Sequence, residues 1–109
     1  QAMLAGAKGI VPVCANYDPG MYIRIYRAGL RRDRKALAVL MPRLLHIRET
    51  TLRSGACWIS GMKYTLSALG VGSGRPVSPL EPVEPKRRAG IDAMIRADGD
   101  AGIPGWRSI

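Results

Sequence analysis

The sequence predicts a mostly helical α/β chain in which one buried strand precedes four helices. A short, nearly continuous apolar run, GIVPVCAN at residues 9–16, is typical of a strand that is buried on both faces. Asp, Pro and Gly signals divide the rest of the chain into segments whose apolar residues recur at helical spacing. The length of 109 residues permits one modest core and no second domain.

The predicted strand at residues 9–16 is bounded by a glycine and an asparagine. A strand covered on both faces belongs to a parallel sheet. Pro12 weighs against a central strand, because proline cannot donate to a sheet and is usually confined to edges or bulges. Without partner strands, each buried and unpaired backbone group would cost about 1–3 kcal/mol. The rest of the sheet is therefore expected from residues outside this chain.

Two helices are predicted next, and each begins at an aspartate. Asp18 followed by Pro19 is a typical N-cap with proline at the first helical position, which predicts a helix from about Pro19 to Arg31. Asp33 begins the second helix, which Pro42 should kink or interrupt. Apolar residues recur three and four positions apart in this second helix and give it one apolar face, formed by Leu37, Leu40, Met41, Leu44 and Leu45.

The third predicted helix carries an apolar stripe of Trp58, Met62, Leu66 and Leu69 and stops at Gly70. The glycines that follow, GVGSG at 70–74, superficially offer a phosphate cradle. Phosphate loops follow a strand and end in Gly-Lys-Ser/Thr, whereas this segment follows a helix and has no such end. The sequence therefore predicts that these glycines form the exit of the helix.

The Gly- and Pro-rich stretch up to Pro85 is predicted to be an irregular loop or linker. Pro85 begins a short final helix, in which Ile91, Met94 and Ile95 form the apolar face, and Gly99 follows it. Residues 99–109, with three glycines and one proline, are predicted to be a flexible tail.

Composition restricts the class of protein. A hydrophobic fraction of 47% against 23% charged residues argues against a disordered or collagen-like chain. The net charge of +9 makes a small basic nucleic-acid-binding module an alternative, but the positive residues are dispersed and favour a plain solvated surface. Apolar runs are too short to span a membrane. Two cysteines are too few for a disulfide scaffold, which predicts a cytoplasmic protein.

The beginning of the chain, QAMLAGAKGIVPV, has neither an initiator methionine nor the basic region of a signal peptide. Together with the missing sheet, this predicts a piece of a longer protein.

Three blocks in order resemble the dihydrodipicolinate synthase and N-acetylneuraminate lyase group of class I aldolases. LAGAKGIVPVCAN resembles the family's last barrel strand, Gly-(Val/Ile)-Ile-Ser-Val-x-Ala-Asn. YDPGMYIRIYRAGLRRDRKAL resembles the helix after that strand, with Asp33 at the acidic turn. SGMKYTLSALGVGSGRPVSPLEPV resembles the Val-Lys-x-x-Leu-x-x-Leu-Gly helix end and its loop. Pro12 replaces a common Ser, and CWISGM replaces an Asn-Pro-x-Pro lead, so the subfamily and second substrate stay open.

The resemblance implies the C-terminal portion of a (β/α)8 barrel. Its last strand and helix would occupy residues 1–32, and an accessory helical region would occupy residues 33–98. It also implies a homotetrameric lyase without cofactor or metal, in which a lysine forms a Schiff base with pyruvate or another 2-oxo acid that reacts with an aldehyde. In the family that lysine, the proton-relay tyrosine and a Gly-x-x-Gly-Glu loop precede the last strand, so none is expected in this chain. A catalytically inactive truncated member remains an alternative.

Few site residues are expected within this chain. Val11 matches the family position whose apolar side chain touches pyruvate, although it is also simply a barrel core position. Asn16 and Tyr17 lie at the end of the predicted strand, on the catalytic face of such barrels, where capping and packing are equally reasonable roles.

The remaining reactive side chains are expected to be structural. Lys63 aligns with a helix lysine outside the barrel strands. His46 has no acidic or cysteine partner at ligand spacing, which indicates a surface or satisfied core histidine. Cys14 has no base nearby and is expected to be a buried packing thiol.

Overall fold

The computed structural model describes residues 2–53 and 57–101, and these residues form helices without any strand. The helices surround one core, to which the N-terminal segment also contributes. The elements are a short 3-10 helix at Val13–Asn16, then α1 at Pro19–Leu30, α2 at Arg34–Leu52, α3 at Trp58–Ala68 and α4 at Pro85–Asp100.

The prediction of a strand at residues 9–16 is wrong for this chain. Pro12 is extended, with φ −90° and ψ 128°, but the backbone then turns into the 3-10 helix at Val13–Asn16. The Ala15 amide donates to the Pro12 carbonyl at 3.1 Å, and the Tyr17 amide donates to the Cys14 carbonyl at 3.0 Å. These local turns pair the carbonyls of Pro12 and Cys14, whereas residues 9–11 have no strand to pair with among the described residues.

The predicted start of α1 is confirmed, because Asp18 accepts a hydrogen bond from the Met21 amide at 3.0 Å. The helix ends at Leu30, one residue earlier than expected. Arg32 then adopts a left-handed conformation with φ 54°. Its backbone amide donates to the Gly29 carbonyl, and the Asp33 amide donates to the Ala28 carbonyl. This is a Schellman end with arginine at the position that usually holds glycine.

Helix α2 begins as expected at Asp33, which accepts from the Ala36 amide at 2.9 Å. The expected interruption at Pro42 does not occur, since α2 continues through it to Leu52. Pro42 removes one backbone hydrogen bond from α2. The packing of α1 and α3 along α2 compensates for this loss and keeps the helix continuous.

The predicted apolar face of α2 is partly wrong. Met41 and Leu45 are exposed, whereas Leu44 packs against the core. The buried stripe continues instead to Ile47 and Thr51, at three and four spacing from Leu44.

Helix α3 ends as the glycine pattern predicts. The Gly70 amide donates to the Ser67 carbonyl and the Val71 amide to the Leu66 carbonyl, both at 2.9 Å, and Gly70 has φ 85°. Met62 and Leu69 of the predicted stripe are buried, but Trp58 is half exposed.

Helix α4 begins at Pro85 as expected and extends to Asp100, past the predicted end before Gly99. Most of the expected tail, residues 102–109, lies outside the described residues. Of the described helices, none is long and apolar enough to cross a membrane. The shared core joins the 3-10 segment to all four helices, and its buried members are Cys14, Tyr17, Met21, Tyr22, Ile47, Met62, Leu69 and Met94.

Candidate functional site

The three side chains that the sequence singled out lie on the segment that precedes α1. Val11 is fully exposed, with no packing over its side chain. Asn16 is also exposed, and its side-chain Nδ2 donates to the Val13 carbonyl at 2.9 Å. Tyr17 is fully buried. The segment therefore presents Val11 outward while Tyr17 anchors it to the core.

Tyr17 belongs to a buried polar network that joins three parts of the chain. Its hydroxyl donates to Asp98 Oδ2 of α4 at 2.5 Å. Arg43 Nη2 of α2 donates to the same oxygen at 2.5 Å and lies 3.9 Å from Asp18 Oδ2. Because Asp18 also caps α1, the network fixes the segment around Asn16 against α2 and α4.

Tyr17 is held neutral and Arg43 is held charged in this network. Burial, and then the hydrogen bond and negative charge of Asp98, raise the pKa of Tyr17 well above its usual 10.0. Burial lowers the pKa of Arg43, but the hydrogen bond and charge of Asp98 outweigh it, so the net change is upward. Asp18 Oδ2 and Arg43 Nε are buried without a hydrogen-bond partner among the described residues. Neutral Tyr17 and cationic Arg43 suit positioning and do not suit proton transfer near neutral pH.

An open apolar groove lies beside the exposed segment. It has a volume of about 360 Å³, and Ile10, Pro12, Ile23 and Tyr26 form part of its lining. Ile23 is half exposed, and the Tyr26 hydroxyl donates to the Lys8 carbonyl at 3.2 Å. Uncovered apolar surface on α1 thus faces Ile10 and Pro12, the sequence neighbours of Val11.

The other reactive side chains lie apart from this segment. Lys63 is half exposed on α3, and His46 is exposed on α2. Cys14 is buried, and its Sγ lies 3.7 Å from Thr51 Oγ1. Within residues 2–53 and 57–101, no group of three His, Cys, Asp or Glu side chains is arranged to hold a metal ion. The described part of the chain therefore brings no nucleophile and base together around Val11.

Comparison with known proteins identifies the family. Residues 1–98 match the dihydrodipicolinate synthetase family. The chain belongs to this family. A similar solved structure is dihydrodipicolinate synthase from the commensal bacterium Bacteroides thetaiotaomicron, with 27% sequence identity and a TM-score of 0.79. The similarity covers 88% of this chain and 33% of that protein, so the chain spans about a third of its length. No curated protein sequence matches the chain significantly.

The resemblance drawn from the three sequence blocks is confirmed by this match, and the dihydrodipicolinate synthetase family is one of aldolase-like lyases. The nucleic-acid-binding alternative is not favoured by it.

Asp98 and Arg43 belong to the network but are not predicted from the sequence pattern. A signal for Asp98 was present, because it follows Ile91 and Met94 at helical spacing and is buried on the same face of α4. An acidic residue at an apolar-face position predicts a buried partner. Arg43 carried no comparable signal, since its role depends on a contact across 55 residues of sequence.

Proposed function

We propose that this chain is the C-terminal portion of a (β/α)8-barrel lyase of the dihydrodipicolinate synthase type. The observation that carries the proposal is the family match over residues 1–98, together with a structural similarity that spans only a third of a complete synthase. In this arrangement residues 9–12 belong to the last barrel strand and α1 is the last barrel helix. Helices α2 to α4 form the accessory C-terminal region.

The exposed segment supports this arrangement. Val11 is uncovered, and the neighbouring groove is apolar, although such surface is normally buried. Residues 9–12 make no strand pairing among the described residues. Seven further strands would supply the missing backbone partners and cover this face, and the segment would then extend as the sequence pattern predicts.

The proposed reaction begins when the neutral amine of a lysine attacks the 2-oxo carbon of pyruvate or a related acid and water leaves, which forms a Schiff base. Carbon–carbon bond formation with an aldehyde, or the reverse cleavage, follows. We place the lysine outside this chain, since Lys63 is half-buried on helix α3 and resembles a helix lysine that lies outside the barrel strands of the family. The family resemblance supports a homotetramer as the active form.

Within this chain, Val11 is the proposed contact to the pyruvate moiety, and Asn16 lies at the rim of the pocket. Tyr17 contributes differently, because its hydroxyl is already bound to Asp98 and its ring is fully buried. We assign Tyr17 to holding the segment that carries Val11.

Borohydride trapping with pyruvate tests the proposal, because reduction converts a Schiff base into a stable amine that peptide mass mapping locates. The full-length protein that carries this chain is expected to show the adduct on a lysine outside these 109 residues. The chain alone is expected to show none. An adduct on Lys63 would overturn the assignment, and no adduct in the longer protein would favour the inactive truncated alternative.

A matched pair of variants in the longer protein tests the role of Val11. Val11→Asp places a carboxylate against the proposed carboxylate substrate and is expected to lower the yield of trapped adduct. Val77→Asp is the control, since Val77 is also well exposed but lies on the loop after α3. Equal yields in the two variants would remove Val11 from the substrate site.

A further inference from the structure

A second cleft lies far along the chain from Val11, between the loop after α3 and helices α3 and α4. Its volume is about 640 Å³, within the range of roughly 300–1,000 Å³ that is usual for small-molecule sites. Tyr64 and Ser67 of α3, Arg88 of α4 and the loop that includes Arg75 and Leu80 line it. We call it the Arg88 cleft.

The walls of the Arg88 cleft are fixed by specific contacts. Ser60 Oγ donates to the Glu81 carbonyl at 2.5 Å, and Val83 is buried. Gly74 has φ 71° and approaches α3 so closely that a Cβ there would lie very near Ser67 Oγ. Ser67 Oγ is itself engaged, donating to the Tyr64 carbonyl at 2.9 Å. The loop is therefore seated on α3, which gives the cleft a defined shape.

Arg88 is anchored in this cleft without a countercharge. Its Nε donates to the Val83 carbonyl at 3.1 Å, and its guanidinium lies 5.4 Å from the centroid of the Tyr64 ring. The Tyr64 hydroxyl donates to Asp92 at 3.0 Å, which fixes the ring. Among residues 2–53 and 57–101, no carboxylate lies within 4.0 Å of the Arg88 guanidinium. The terminal nitrogens of a half-buried, rigidly held cation thus remain available for an anion.

The other lining groups define the chemistry that fits. Arg75 adds a second cation, which forms no ion pair with any described residue, while Pro76, Pro79, Pro82 and Leu80 supply apolar surface. Glu81 is the one acidic residue in the described lining, and it is exposed at the rim. Arginine binds carboxylates in a bidentate manner, and the apolar wall favours a ligand with a hydrocarbon body. We infer that the Arg88 cleft binds a small organic anion, a carboxylate with an apolar or aromatic body, held by Arg88 and Arg75.

Benzoate is a suitable probe, with neutral benzamide as its matched counterpart and inorganic phosphate as an anion without an apolar body. Binding is measured on the full chain at low salt by the shifts of backbone and arginine side-chain resonances. Benzoate is expected to saturate shifts of residues around Arg88, and benzamide to bind at least tenfold more weakly. Phosphate binding as tight as that of benzoate would refute the requirement for an apolar body.

Variants decide whether Arg88 carries the binding. Arg88→Gln is expected to weaken benzoate binding about tenfold, which corresponds to a loss of about 1.4 kcal/mol of binding free energy. Arg75→Gln, at an exposed position, is expected to weaken it by a smaller factor without a risk to folding. Arg24→Gln on α1 removes an equal charge outside the cleft lining and should leave the benzoate affinity unchanged. Equal benzoate affinity in Arg88→Gln and Arg24→Gln, or no saturable shift at all, would overturn the inference.

Discussion

Replacing Asp98 with alanine removes the oxygen that two donors share in the buried network. Tyr17 is fully buried, so loss of the acceptor removes a buried hydrogen bond, which costs about 1–3 kcal/mol. Breaking a fully buried ion pair costs about 3–5 kcal/mol, but the Arg43 side chain is 25% exposed and keeps Asp18 at 3.9 Å. We therefore assign about 1–2 kcal/mol to that loss, and expect Asp98→Ala to reduce the free energy of unfolding by about 2–5 kcal/mol.

Urea unfolding followed by circular dichroism measures this change by linear extrapolation. Asp100→Ala is the matched control, because Asp100 is exposed near the end of the same helix and should stay within about 0.5 kcal/mol of the parent. Asp98→Asn keeps an acceptor and loses the charge, so its effect should lie between the two alanine variants. The reasoning fails if Asp98→Ala unfolds at the same urea concentration as Asp100→Ala.

A double-mutant cycle separates the two donors. Tyr17→Phe combined with Asp98→Ala should show a coupling of about 1–2 kcal/mol, because both changes remove the same hydrogen bond. Additive effects would mean that Asp98 stabilises the chain through Arg43 alone.

Three further outcomes are expected from unfolding measurements. Gly29→Ala should lower the free energy of unfolding by about 1–3 kcal/mol, because its Cβ would lie 2.5 Å from Met3 Cβ. Gly90→Ala meets open space within α4 and should raise the free energy of unfolding by about 0.5–1 kcal/mol. Equal changes in the two variants would contradict the packing around Gly29. Arg32→Gly should stabilise by about 0.5–1 kcal/mol, since it relieves a left-handed backbone at φ 54°, and an unchanged urea midpoint would contradict this. The pKa of Tyr17 is raised from 10.0, so its contribution should be complete below pH 10 and decline above it, and Tyr17→Phe should reduce that decline.

The helices could be predicted because their signals are local. Asp18 and Asp33 cap the helices that they precede, and Gly70 ends α3 through two backbone hydrogen bonds. Each of these features depends on residues within five positions of sequence, where side-chain type and backbone preference act directly.

Features that depend on distant residues could not be predicted in the same way. The apolar run at 9–16 carries the pattern of a strand, but a strand forms only where other strands pair with it. The core face of α2 includes Leu44 and Ile47 and excludes Met41, a choice made by the positions of α1 and α3. The pocket lining around Arg88 likewise depends on how the loop folds back onto α3.

The bond between Tyr17 and Asp98 joins positions 81 residues apart in sequence. Closing so long a loop has a large entropic cost, so this contact should form late in folding, after the neighbouring pair of α1 and α2 has assembled. Loss of Asp98 would then act mainly by accelerating unfolding and would leave the folding rate nearly unchanged. We therefore expect the last turn of α4, through Asp98, to set how slowly the segment that carries Val11 is released from the core.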